Sequence, residues 1–253
     1  MSGSTVAESP AASRPRDAAS LIVVRTGADG ESECLMGRRR RSARFLPGYF
    51  VFPGGSVEKA DFRARSASIL DPSSIWAMGV GDRRSRAEAL AMAAVRETWE
   101  ETGVLIAEPG DVGSAPGPAF DEMRRLNLAP ALGRLVYLGR AITPTFSAIR
   151  FHARFFLVRI DAESDPAGAL SADPGDLCKD GELECLSWVR LSRVSDLETI
   201  RVTRFMTTFA ARIIDEGLAS HPYPVLYGRA SKRLVRYLRE GDASVIESFA
   251  ARV

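Results

Sequence analysis

The stretch Arg96-Glu97-Thr98-Trp99-Glu100-Glu101-Thr102-Gly103 constrains this chain more than any other. Residues 87–102 are rich in Ala, Glu, Met and Leu, and Gly103 stands where such a helix would stop. Positions three and four apart share a helix face, so Glu97, Glu100 and Glu101 project together. They do so near the C-terminal end, where the helix dipole disfavours negative charge. Such a cluster costs stability unless a cation neutralises it. Hard cations such as Mg2+ take carboxylate oxygens, keep some waters and bridge to phosphates. The competing reading is a solubilising face, since Glu is simply a good helix former.

Around this helix the apolar pattern predicts an α/β domain with a mixed sheet. Residues 20–26 and 33–39 read as a hairpin, with further strands at 49–52, 134–142, 149–160 and 183–191. Helices are expected at 120–128 and 204–216, with two more helical stretches after Tyr227, so that 202–253 forms a helical C-terminal part. Residues 62–87, with their Ser, Asp, Arg and Gly, read as a surface insertion; Ile69, Leu70, Ile75 and Trp76 should pack it on the body or on a partner. Residues 109–118 and 161–181 read as loops. Residues 1–16 read as a disordered tail and 17–253 as one domain.

Composition removes several classes. No run approaches the ~20 apolar residues of a membrane span. The 34 basic and 32 acidic residues nearly cancel, which argues against nucleic-acid binding by bulk charge. Cys34, Cys178 and Cys185 with His152 and His221 match no zinc spacing and are expected to be ordinary reduced or structural groups. Residues 1–16 lack the apolar core of a secretory signal, and the final Ala-Arg-Val is not the usual peroxisomal tripeptide, so a cytoplasmic location is expected.

Pro53-Gly54-Gly55 directly follows a predicted strand, and glycines there let backbone approach an ion or phosphate. Phe52-Pro53-Gly54-Gly55, Glu88 and the run from Arg96-Glu97 to Gly103-Val104 together resemble the signature box of the Nudix hydrolase family. Thr98 takes a usually aliphatic position. The box is also split: Gly55 and Arg96 stand 41 positions apart, 27 more than the pattern allows. Asp61 falls where a glutamate should follow Gly55, and Glu88 where it should precede Arg96. Glu88 is preferred because it lies on the helix. The resemblance implies an α/β/α sandwich in which the box holds Mg2+ or Mn2+ while water attacks a diphosphate. By position it implies Glu97 and Glu101 as metal ligands and Glu100 as a third ligand or water-positioning base. Gly54 would supply a carbonyl ligand, and Arg96 would pair with a box carboxylate. Glu182 or Glu184 is a further candidate carboxylate.

The upstream spacing Arg39, Arg44, Gly48 and Phe52-Pro53-Gly54-Gly55 resembles a motif of the coenzyme A diphosphatases, with Gly37 and Arg40 as departures. The long insertion resembles the split box of their peroxisomal members. This implies coenzyme A or an acyl-coenzyme A as the small-molecule substrate, contacted by Arg39, Arg44, Gly48 and Gly55. It implies no nucleic-acid or membrane partner, and is compatible with a homodimer. Guanidinium forks suit phosphate oxygens, although arginines 38–44 could equally guard a strand edge. ADP-ribose or another nucleoside diphosphate derivative is the alternative substrate. A Nudix-fold ligand sensor without catalysis is the third reading, against which the intact carboxylate set argues.

Overall fold

Apolar, β-branched runs assemble one mixed sheet in the computed structural model, which describes residues 14–81, 83–160, 182–217, 221–229, 232–239 and 245–248. The hairpin is β1 (Arg16–Thr26) and β2 (Ser32–Arg39), followed by short β3 (Phe50–Val51) and β4 (Gly54–Ser56). A 3-10 helix at Pro72–Met78 precedes α1 (Arg84–Thr102). Then come β5 (Ala107–Pro109), α2 (Pro118–Arg125), β6 (Leu128–Pro130), β7 (Val136–Ile142), β8 (Phe151–Arg159) and β9 (Leu183–Arg190). The described chain closes with α3 (Arg201–Glu216), β10 (Tyr223–Arg229), β11 (Lys232–Leu238) and β12 (Val245–Ser248).

The large sheet runs β12-β11-β10-β7-β8-β1-β2-β3, with β4 also on β1 and β9 also on β2; β5 and β6 pair separately. At its centre β1 lies parallel to β8, from Arg16 opposite Phe151 to Val24 opposite Arg159. A central strand covered on both faces should be apolar throughout. Leu21, Ile22, Val23 and Val24 are all fully buried. Leu21 and Val23 face α1 and α2, while Ile22 and Val24 face α3, so the sheet is sandwiched between helices as expected.

Several boundaries differ from the sequence expectation. Strand β1 begins at Arg16, inside the expected tail, because its first residues pair with β8. Helix α1 begins at Arg84, so the insertion is shorter than 62–87. Leu70, Ala77 and Met78 of the insertion are buried and Trp76 stacks edge-on against Tyr223, whereas Ile69 is exposed. The helices expected after Tyr227 are the strands β10 to β12. Their spacing suits a helix, but the free edge of β7 takes β10 in parallel, and β11 folds back on it. The expected tail up to residue 13, the loop 161–181 and Cys178 lie outside the described residues. No helix among the described residues is long and apolar enough to cross a membrane.

Candidate active site

Helix α1 sinks Ala89, Leu90, Ala93 and Ala94 into the core and carries Arg96 in with them. A buried guanidinium must be paired and hydrogen-bonded. Only 3% exposed, Arg96 has all five N–H groups engaged. Nε donates to Asp61 Oδ1 at 2.8 Å, and Nη2 donates to Asp61 Oδ2 at 3.1 Å and to the Ser56 carbonyl at 3.0 Å. Nη1 donates to Glu97 Oε1 at 2.9 Å and to Glu100 Oε2 at 3.1 Å. Asp61 Oδ2 also accepts the Glu58 N–H at 2.7 Å. The start of the insertion is thereby tied to the acidic end of α1.

Asp61, rather than Glu88, is the carboxylate brought to this cluster. Glu88 sits nine residues before Glu97, roughly 13 Å of helix rise, and accepts Arg84 Nε at 2.9 Å. Helix membership favoured Glu88, but a helix this long separates its ends.

Gly54 and Gly55 lie on β4, opposite Ser20 and Ala19 of β1. The Gly54 N–H donates to Glu101 Oε2 at 2.8 Å. Its φ of 153° and an Ala19 carbonyl 2.3 Å from any added Cβ exclude other residues. At Gly55 an added Cβ would fall 2.3 Å from Glu97 Oε1. Two successive glycines thus set bare backbone against Glu97 and Glu101 in turn. The contact the structure shows for Gly54 is made by its amide; the expected carbonyl role stays a proposal.

Burial, only partly offset by Arg96, lifts the Glu97 carboxyl to about 7, and nearby Glu100 and Asp61 add to the rise. Burial likewise lifts Glu101 to about 8 against the Gly54 N–H, with Glu97 adding. Glu100 is raised by burial as well. Among the described residues no three carboxylate, His or Cys groups already converge as ligands, since Glu97 and Glu100 are drawn onto Arg96. The donor set still fits a hard divalent cation: carboxylate oxygens one helical turn apart on α1, whose protons such a cation would displace.

The other candidates divide. Arg39 Nη2 donates to Glu182 Oε2 at 2.9 Å, and both side chains act electrostatically on Glu101, so they border the cluster. Glu184 instead lies 3.7 Å from Arg38 and 3.9 Å from Arg40. Gly48, at φ 80°, donates its N–H to the Arg39 carbonyl at 3.0 Å and closes the arginine loop. Arg44 is exposed on that loop and forms no ion pair among the described residues. Sequence reasoning missed Ser56 and Glu58. Their adjacency to the glycine turn was the only signal, because one acts through its carbonyl and the other through its amide.

A family profile described as "NUDIX domain" matches residues 15–208. The helix-flanked mixed sheet and this match place the chain in the Nudix hydrolase family, to which it belongs. It is 29% identical over 159 residues to a putative nudix hydrolase 7 of Caenorhabditis elegans, covering 58% of this chain and 45% of that protein. It is 30% identical over 139 residues to acyl-coenzyme A diphosphatase NUDT19 of Gallus gallus, covering 42% of this chain and 36% of the relative. The matches therefore span less than half the length of these curated relatives. A NUDIX hydrolase from Alicyclobacillus acidocaldarius superposes with a TM-score of 0.56 and 28% identity, over 78% of this chain and 92% of its own.

Proposed function

We propose that this protein is a metal-dependent diphosphatase that cleaves coenzyme A or an acyl-coenzyme A into 3′,5′-ADP and 4′-(acyl)phosphopantetheine. The observation that carries the hydrolase reading is the apposition of Gly54 and Gly55 with Glu101 and Glu97. Glu97 and Glu101 would hold Mg2+ or Mn2+. When bound, the ion supplies charge neutralisation at the diphosphate and acidification of water. Arg96 fixes Glu97 and Glu100 in orientation through Nη1, with Asp61 fixing Arg96 in turn. Glu100, the most exposed of the three glutamates, would take a proton from the attacking water. In the reaction the water oxygen bonds to one phosphorus, the bridging oxygen departs with the other phosphoryl group, and the water proton passes to Glu100.

Arg39 supports a phosphate substrate. Its Nη2 is shared with exposed Glu182, and its buried Nε has no hydrogen-bond partner among the described residues. A substrate phosphate would meet an under-used guanidinium fork beside the carboxylates. The choice of coenzyme A rests on the arginine-loop motif and on the acyl-coenzyme A diphosphatase relative.

The test is a kinetic comparison of coenzyme A, dephospho-coenzyme A and ADP-ribose with Mg2+, products being separated by chromatography. Coenzyme A should be the best substrate. Glu97→Gln should lower its turnover on the order of 10³-fold, or ~4 kcal/mol of barrier. A clear preference for ADP-ribose would overturn the coenzyme A assignment, and unchanged turnover in Glu97→Gln would overturn the hydrolytic role of the cluster.

A further inference from the structure

At the opposite end of α1 lies a second cluster, dominated by positive charge. Arg140 on β7 stands directly opposite Arg154 on β8. Like charges facing one another across antiparallel strands are unfavourable without a partner. His152 shares their face, and Arg86 reaches in from the first turn of α1. Asp17 is the one carboxylate among the described residues that acts on Arg154 and His152, and none acts on Arg140. Both Asp17 oxygens are already used: Oδ1 accepts Arg154 Nη1 at 2.7 Å, and Oδ2 accepts Arg86 Nε at 2.7 Å.

Donors are left over. Arg154 is 0% exposed, and its Nη2 has no partner among the described residues. Its Nε donates to the Met78 carbonyl at 3.0 Å. Nη2 shares that edge of the planar fork, so it too faces the Met78-Gly79 turn. Arg140 comes to the same turn, where a Cβ on Gly79 would lie 2.2 Å from Arg140 Nη1. The buried Arg140 Nε is also without a partner among the described residues, and Nη1 donates to His152 Nε2 at 3.2 Å. Burial first, then the two arginines, hold His152 down at about 3, so it is a neutral acceptor that brings no compensating charge. Helix α1 adds its positive dipole end here, with no side-chain cap and no acidic residue in its first turn.

We propose that Arg140 and Arg154, with the start of α1, form a second site that binds a tetrahedral oxyanion: free phosphate or the phosphate of a monoester. An anion there would engage the two idle guanidinium donors and offset a buried excess of positive charge. Arg140 and Arg86 are partly exposed and form the mouth of the site. It is distinct from the carboxylate cluster, because Arg86 and Glu97 are eleven residues apart on α1, roughly 16 Å of rise.

Calorimetric titration of the full chain with inorganic phosphate tests this, in metal-free buffer with ionic strength held by chloride. Neither substrate nor divalent ion is present, so the outcome is independent of the hydrolase reading. Wild type should bind saturably with one phosphate per chain. Arg140→Gln, at a partly exposed position, should bind roughly ten- to hundredfold more weakly, and Arg39→Ala with Arg44→Ala, which removes the arginines proposed for the substrate, should retain this saturable site. Phosphate should raise Tm in wild type and not in Arg140→Gln, a readout that also shows whether the variant folds. Glycerol phosphate forms a second arm: equal binding marks a phosphomonoester as the ligand, and exclusion marks the free ion. Absence of saturable binding in wild type, undiminished binding in Arg140→Gln, or loss of binding in the Arg39/Arg44 variant would each overturn the proposal.

Discussion

Glu101 shows how one side chain couples the fold to its proposed chemistry. Its carboxyl is buried, accepts the Gly54 amide and faces Glu97, and it rises from an ordinary glutamate value to about 8. A folded-state value above the unfolded one means that folding takes up a proton. Stability from this source is complete below about pH 4.5 and is lost as pH climbs through about 8. Glu101→Gln keeps the acceptor for Gly54 and removes the charge. In metal-free buffer it should therefore be more stable than wild type at pH 9, by about 5 kcal/mol at most, and equal to it at pH 4. Urea unfolding across that range measures the difference. Added Mg2+ should stabilise wild type at high pH and leave the variant unmoved. The glutamates and Arg96 were legible because helical spacing is local arithmetic. Asp61 was legible only as the alternative to Glu88, because its bond to Arg96 closes across the insertion, and no periodicity reports such a contact.

Among the elements, β4 against α1 is the decisive pairing, and its two glycines make separable demands. A side chain at Gly54 would strike the Ala19 carbonyl of β1, which cannot yield, and the backbone there is left-handed at φ 153°. Gly54→Ala should cost several kcal/mol, on the order of 3. At Gly55 the obstacle is the far end of Glu97, a flexible side chain that can turn away. Gly55→Ala should leave stability within about 1 kcal/mol and weaken the metal dependence of turnover about tenfold by dislodging Glu97. Thermal unfolding and Mg2+ titration of the rate distinguish the two variants. The glycine pair was visible in the sequence; the partner assigned to each glycine was not. Strands β10 to β12 were misread for a related reason. Leu234 and Leu238 stand four apart as on a helix, yet Val225 and Leu226 are held opposite Arg140 and Ala141 by the waiting edge of β7.

For the molecule as a whole, the parallel contact between β1 and β8 governs when the structure can exist. Arg16 is bonded to a strand whose first residue, Phe151, is made 135 positions later. Long-range parallel pairing closes a large loop before any contact offsets the entropy, so it forms late. Helix α1 and the β1–β2 hairpin need only local chain. During synthesis every glutamate of the cluster is therefore present well before the sheet centre that supports β4. Until β8 arrives, Leu21 to Val24 lack one of their two neighbours, leaving a strand edge open to wrong partners. In pulse-labelled refolding, amide protection across β1 should lag that of α1, and a chain that acquired both together would show that the sheet centre does not wait.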